Sequence, residues 1–288
     1  QLGVKQNVLS DLESRVKSNA LIATNTSSIQ LEDMATSLSH PERFVGLHFF
    51  NPVSKVPLVE VIRGTKSSEE SLQAAMSFVI QIGKLPLPCR SAPGFLVNRI
   101  LAPYMIEALR AREDGFWLET IDAAAQRFGM PIGPVELADR VGLDVALHVS
   151  TVLKDVVDSP TPSRILKAKV EARELGAKTG QGFYRYEKNR AQKRRDFPEP
   201  DRQLQDRLIL HMLNQAVACF EDGVVEDLEL LDAGVVFGTG FPPFTGGPIN
   251  YALAMGVDEV IRRLTLLSEK FGSRFLPHPG WDKLRGRG

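Results

Sequence analysis

Two side chains stand out for the chemistry they would do together. His48 lies near the end of an apolar stretch, Phe44 to Phe49, and Glu60 sits inside another, Leu58 to Ile62. A carboxylate flanked by Val59 and Val61 is costly to bury without a partner. An imidazole on the neighbouring strand would satisfy it. Such a pair can be a general base whose cationic form the carboxylate stabilises. It can equally be a structural hydrogen bond, and spacing alone leaves both open. Ser27, in the polar run Asn25-Thr26-Ser27-Ser28, follows a short apolar strand, where open α/β sheets carry ligands; Ser27-x-x-Gln30 also fits a helix-capping box. Asn98 opens a long helical pattern after Pro93-Gly94, as a ligand contact or as a first-turn polar residue.

The elements that must position these residues alternate over the first ninety or so positions. Val4, Val8, Leu12 and Val16 recur at helical spacing, and Ala20 to Ala23 reads as a buried strand. Leu31 to Leu38 reads as a short helix, and Phe44 to Phe49 and Leu58 to Ile62 as strands. Ser67-x-x-Glu70 fits a capping box before a helix from Ser71 to Ile82, and Leu85 to Cys89 follows as a last strand. This alternation predicts α/β layering with a mainly parallel sheet.

After Pro93-Gly94 long helical patterns take over, and they repeat. Asn98-Arg99-Ile100 resembles Asp206-Arg207-Leu208, and Glu113-Asp114-Gly115 resembles Glu221-Asp222-Gly223. Ile121-Asp122-Ala123 matches Leu231-Asp232-Ala233, Gly133-Pro134 matches Gly247-Pro248, and Gly142-Leu143-Asp144 matches Gly256-Val257-Asp258. The offset grows from about 108 to about 114 residues, which indicates a duplicated helical domain rather than a short-period solenoid. Two copies are expected to pack through related faces as a pseudo-dimer. The polar stretch Glu187 to Gln203, with Arg190, Lys193, Arg194 and Arg195 among acidic residues and prolines, reads as a solvated linker in preference to a basic binding patch.

Taken in order, several motifs resemble the 3-hydroxyacyl-CoA dehydrogenase family. They are Ala23-Thr24-Asn25-Thr26-Ser27-Ser28, Gly46 to Pro52, Leu58 to Ile62, Pro93-Gly94-Phe95-Leu96-Val97-Asn98-Arg99, Gly129 to Pro134 and Lys178-Thr179-Gly180-Gln181-Gly182-Phe183-Tyr184. The duplicated helical part is most like the dehydrogenase part of multifunctional fatty-acid β-oxidation enzymes. The resemblance implies an α/β partial Rossmann-like NAD-binding domain followed by a duplicated all-α C-terminal domain. The bounds are 1–91 for the NAD-binding part, 92–187 for the first helical domain, 188–203 for a linker and 204–288 for the second copy. It also implies NAD-dependent oxidation of (S)-3-hydroxyacyl-CoA. In that reading His48 takes the hydroxyl proton and Glu60 orients it. Ser27 and Asn98 bind the acyl-CoA substrate, and Lys5, Ser27, Asn51 and Lys178 face the cofactor. An upstream hydratase domain and a thiolase subunit are implied partners.

One departure limits this picture. The family's Gly-x-Gly-x-x-Gly fingerprint is absent; Gly3 and Gly46 are the only glycines before residue 60. Gly238-Thr239-Gly240-Phe241-Pro242-Pro243 lacks the third glycine, and its prolines remove backbone donors that a phosphate needs. With Gln1 as first residue and no signal peptide, the expectation is an N-terminally truncated part of a longer chain. A non-catalytic packing or acyl-CoA-binding module is the alternative, as is a dehydrogenase for free β-hydroxy acids, which would typically use a lysine base.

Composition excludes other classes. Lys+Arg and Asp+Glu are both 35, so neither nucleic acid nor an anionic membrane is an expected partner. No apolar run approaches the ~20 residues of a membrane span. Cys89 and Cys219 stand apart, outside any metal motif, and no metal is expected. They read as buried small residues in a reducing compartment, a bacterial cytoplasm or an organellar matrix.

Overall fold

A computed structural model describes residues 2–26, 29–154, 156 and 163–286. The chain forms two compact units, one made of 1–98 with 219–238 and the other of 99–218 with 239–288.

In the first unit, α1 (Leu2–Arg15), β1 (Ile22–Thr24), α2 (Leu31–Ala35), β2 (Phe44–Phe49), β3 (Leu58–Arg63), α3 (Glu69–Gln81) and β4 (Leu85–Arg90) follow in order. The strands form one sheet in the order β1-β2-β3-β4. β1 and β2 run parallel, as do β3 and β4, but β2 and β3 are antiparallel. Two of the three pairings are parallel, as a mainly parallel sheet requires, and β2–β3 is the exception. No helix lies between Phe49 and Leu58, and a short return without a crossover permits only the antiparallel pairing. Val45 and Leu47 of β2 and Val59 and Val61 of β3 point to one face, under Leu72, Ala75 and Val79 of α3. The alternate residues of β2 and β3, His48 and Glu60 among them, point to the other.

Local capping differs from the sequence expectation at α3. Ser68, not Ser67, caps the helix by accepting from the Ser71 N–H at 3.1 Å. The Ser67 hydroxyl instead donates to the Phe44 carbonyl and accepts from the Gly64 N–H. It ties the start of β2 to the end of β3, a long-range use that a local motif does not reveal.

Helices dominate the remainder: α4 (Val97–Glu113), α5 (Leu118–Phe128), α6 (Pro134–Val141), α7 (Leu143–Val152), α8 (Arg164–Glu171), α9 (Arg202–Glu221), α10 (Leu228–Thr239), α11 (Pro248–Met255) and α12 (Val257–Phe271). A hairpin of β5 (Arg185–Glu187) and β6 (Arg190–Gln192) separates α8 from α9. The run α4 to α7 and the run α9 to α12 share their punctuation. Pro134 and Pro248 each start a helix. Gly142 (φ 103°, ψ 127°) and Gly256 (φ 92°, ψ 122°) occupy the same backbone region at matching helix junctions, one open to glycine and little else. Asp122 and Asp232 are both buried.

The polar stretch after β6 is largely exposed, as expected of a solvated linker, and is also strapped down at several points. Lys193 reaches Asp122 and Glu136, each at 2.8 Å. The Arg194 N–H donates to Glu119, and its guanidinium lies over the Trp117 ring. Thr120 donates to the Pro198 carbonyl, and Arg127 pairs with Glu199. Burial pushes the Asp122 carboxyl above the usual carboxylate range, only partly offset by Lys193.

Candidate active site

The antiparallel register sets His48 directly opposite Glu60. Directly opposed residues share a face and stand close enough to bond. The imidazole Nδ1 lies 2.6 Å from Glu60 Oε2, with the carboxylate fully enclosed and the imidazole nearly so. The other carboxylate oxygen, Oε1, accepts from the backbone N–H groups of Leu96 at 3.0 Å and Val97 at 2.9 Å. These lie at the start of α4, where the helix dipole also favours an anion. The turn that presents them is sharp: Gly94 has φ 74° and Phe95 has φ 49°. A left-handed Phe is strained, and burial of its ring holds it in place.

This arrangement fixes the imidazole tautomer. An ionised carboxylate only accepts, so Nδ1 must carry the proton and donate. In the neutral ring Nε2 is then the acceptor, and among the described residues nothing bonds to it. Phe50 packs edge-on against the imidazole with centroids 4.6 Å apart, and Phe95 lies at 5.7 Å. The site is thus a buried imidazole with one lone pair available, walled by aromatic rings.

The other predicted site residues are distributed as follows. Asn98 is half-buried in the first turn of α4, and among the described residues its amide has no hydrogen-bond partner. Asn51 is exposed just beyond β2, and Lys5 is half-buried on α1. Ser27 lies outside the described residues. Its neighbour Thr26 accepts from the Ile29 N–H, and the Asn25 amide oxygen accepts from the Phe49 N–H, joining the ends of β1 and β2. Lys178 belongs to the other unit, where its ammonium pairs with Asp144 at 2.5 Å. The motif around it closes on Asp139, whose carboxylate accepts from the Phe183 and Tyr184 N–H groups. Sequence reasoning missed the Leu96 and Val97 amides and the Phe50 and Phe95 rings. Pro93-Gly94 before an apolar triplet was the available signal for a turn there.

The polar groups left without protein partners here are of the kind that the reacting end of a dinucleotide needs. The free Nε2, the unpartnered Asn98 amide and exposed Asn51 suit a nicotinamide and the carbon it reacts with. A diphosphate cradle is a different matter. The loop between β1 and α2 contains no glycine, and Gly238 lies inside α10 rather than in a loop.

The model of the 3-hydroxyacyl-CoA dehydrogenase NAD binding domain matches residues 1–92, and that of the 3-hydroxyacyl-CoA dehydrogenase C-terminal domain matches residues 94–186. The chain is 38% identical to (S)-3-hydroxybutyryl-CoA dehydrogenase from Ralstonia eutropha over 65% of its own length and 67% of that chain, with a TM-score of 0.60. The chain belongs to the 3-hydroxyacyl-CoA dehydrogenase family. The dehydrogenase part of multifunctional enzyme 1 from C. elegans is 26% identical, over 98% of this chain and 69% of that one, with a TM-score of 0.67. The 3-hydroxybutyryl-CoA dehydrogenase from Escherichia coli K12, at 24% identity, shares the fold over 98% of this chain and 79% of that one, with a TM-score of 0.85. As a member of this family, the dehydrogenase is an oxidoreductase with NAD as cofactor. Among the described residues no helix is long and apolar enough to cross a membrane.

Proposed function

We propose that this dehydrogenase oxidises (S)-3-hydroxyacyl-CoA to 3-oxoacyl-CoA in fatty-acid β-oxidation, with His48 as the base. The observation that carries this reading is the Nδ1–Glu60 hydrogen bond of 2.6 Å, which leaves Nε2 as an acceptor facing no protein partner among the described residues. Nε2 takes the proton of the substrate 3-hydroxyl. Glu60 holds the ring and stabilises the imidazolium that results, and its own charge is held by the Leu96 and Val97 amides. NAD+, when bound, supplies the acceptor for the C3 hydride; the protein supplies orientation and the base. Phe50 and Phe95 limit water around the ring, which strengthens the His48–Glu60 interaction. Asn98 and Ser27 hydrogen-bond the substrate, and Lys5, Asn51, Ser27 and Lys178 serve the cofactor.

The same reading makes 92–187 and 204–288 two copies of one helical domain, supported by their shared order of helices and matched glycines. It places the catalytic residues in a longer multifunctional chain that supplies the diphosphate cradle and carries a hydratase domain, with a thiolase subunit as partner. The similarity to the C. elegans dehydrogenase part supports this placement, as does the lack of a glycine triplet after β1. A bacterial cytoplasm or an organellar matrix is the proposed compartment. The test compares NADH oxidation with acetoacetyl-CoA by this chain and by one extended upstream. Equal turnover by the two would overturn the placement of the cradle. Unchanged turnover of His48→Gln in the complete enzyme would overturn the base assignment.

A further inference from the structure

Glu60 is held by two amides at the start of α4, and the side chains beside those amides are packed beneath α10. Gly234 and Gly238 lie one turn apart on α10. A Cβ on Gly238 would stand 2.7 Å from Val97 Cγ2, 3.0 Å from Val97 Cγ1 and 3.1 Å from Leu58 Cδ2. On Gly234 it would stand 2.6 Å from Leu87 Cδ2 and 3.1 Å from Leu96 Cδ2. Real Cβ atoms do not approach so closely, so a side chain at either position would force a shift.

Backbone conformation does not require glycine at either place, since neither has positive φ. Glycine weakens a helix interior, so its presence there calls for a packing reason. The reason on view is close approach to the two residues that hold Glu60. α10 is also tied down ahead of its first turn: the Arg90 N–H donates to the Val224 carbonyl at 2.8 Å. Leu96, Val97, Leu58 and Leu87 are all buried, and close-packed side chains have no void into which to retreat. A push on the Val97 side chain is therefore passed to its own N–H.

We propose that Gly238, assisted by Gly234, is a positioning residue for the dehydrogenase reaction. It sets the distance of α10 from Leu96 and Val97, and so the aim of their amides at Glu60 and of Glu60 at His48. The proposal rests on the assignment of His48 as base.

The test uses the whole chain and proton NMR of the His48 Nδ1–H, whose short bond to a carboxylate should give a far-downfield signal absent from His48→Gln. Gly238→Ala should move or broaden that signal. In the complete enzyme it should lower kcat about tenfold with little change in KM for acyl-CoA. Adding Val97→Ala removes the two nearest methyl groups that the new Cβ meets, leaving Leu58 Cδ2 at 3.1 Å, and should return signal and kcat towards the parent. An unmoved signal in Gly238→Ala, or a double variant no better than the single, would overturn the proposal. If Gly238→Ala does not accumulate, Val97→Ala alone carries the test. It loosens the same contact, and an unmoved signal there would count equally against the proposal. A parent enzyme without any His48-dependent signal would instead remove the His48–Glu60 premise.

Discussion

Glu60 on β3 and Glu107 on α4 are equally buried and differently partnered. Both side chains are 0% exposed. Glu107 accepts from Arg207 Nε and Arg274 Nε, each at 2.8 Å, and both guanidiniums also approach its Oε1 through Nη2. Guanidiniums only donate, so neither hydrogen-bond partner offers a lone pair to a ligand, and His211 acts on this carboxylate through its charge. Glu60 has two neutral amides and one imidazole. Among the described residues its one side-chain hydrogen-bond partner is that imidazole, which keeps a second nitrogen without a partner. Burial of a carboxylate thus marks a site only when the partner is titratable and has a face left over. The two clusters also show why: a guanidinium fork fits both carboxylate oxygens, whereas a single imidazole nitrogen leaves one oxygen for the backbone.

Four changes test this contrast. The largest effect is expected for His48→Gln in the complete enzyme, where turnover should fall ~10²- to 10⁴-fold with NAD affinity nearly kept. Steady-state rates with NAD titrations read this directly. Glu107→Gln should instead cost stability, on the order of 3 kcal/mol, because the buried Arg207 keeps only Asp114 as counter-charge and the half-buried Arg274 loses its carboxylate; denaturant unfolding measures it. Burial raises the Glu107 carboxyl, but the Arg274 hydrogen bond and the Arg207 and Arg274 charges outweigh it and hold it below its usual 4.5. A depressed acid contributes stability above its unfolded pKa and loses it as pH falls through the folded one. The gap between the parent and Glu107→Gln should therefore be full at neutral pH and shrink below about pH 4.5. A gap independent of pH would show that packing, not charge, holds that cluster.

Glu60→Gln should lower turnover by roughly ten- to a hundredfold, the usual scale for a residue that orients another. A loss of stability without a loss of rate would make Glu60 the same kind of group as Glu107. The smallest change expected is Lys193→Met. It removes an ion pair in which Asp122 is fully enclosed and Lys193 is not, and should cost about 1–3 kcal/mol of unfolding free energy with turnover intact. A change in turnover would show that the strap after β6 serves the chemistry as well as the fold.

The same contrast shows how much was legible beforehand. His48 and Glu60 were readable because a polar residue inside an apolar strand contradicts its surroundings. Glu107 was not, because a glutamate in a helix looks like any solvated face, and its partners lie 100 and 167 residues away. The ties from Lys193 to Glu199, on a stretch that is otherwise exposed, were hidden for the same reason: composition records charge, not where the charge goes.

By itself the sequence determined the order of elements, the repeated helical punctuation, a histidine and a glutamate inside neighbouring apolar strands, and the absence of a glycine triplet. These follow from local periodicity, backbone preference and the identity of residues. Only the tertiary structure decided that β2 and β3 run antiparallel and set His48 opposite Glu60. It alone showed that the Phe95 turn delivers two amides to Glu60 and that two glycines of α10 pack behind that turn. Those facts depend on register and close packing between distant segments, which no local pattern encodes.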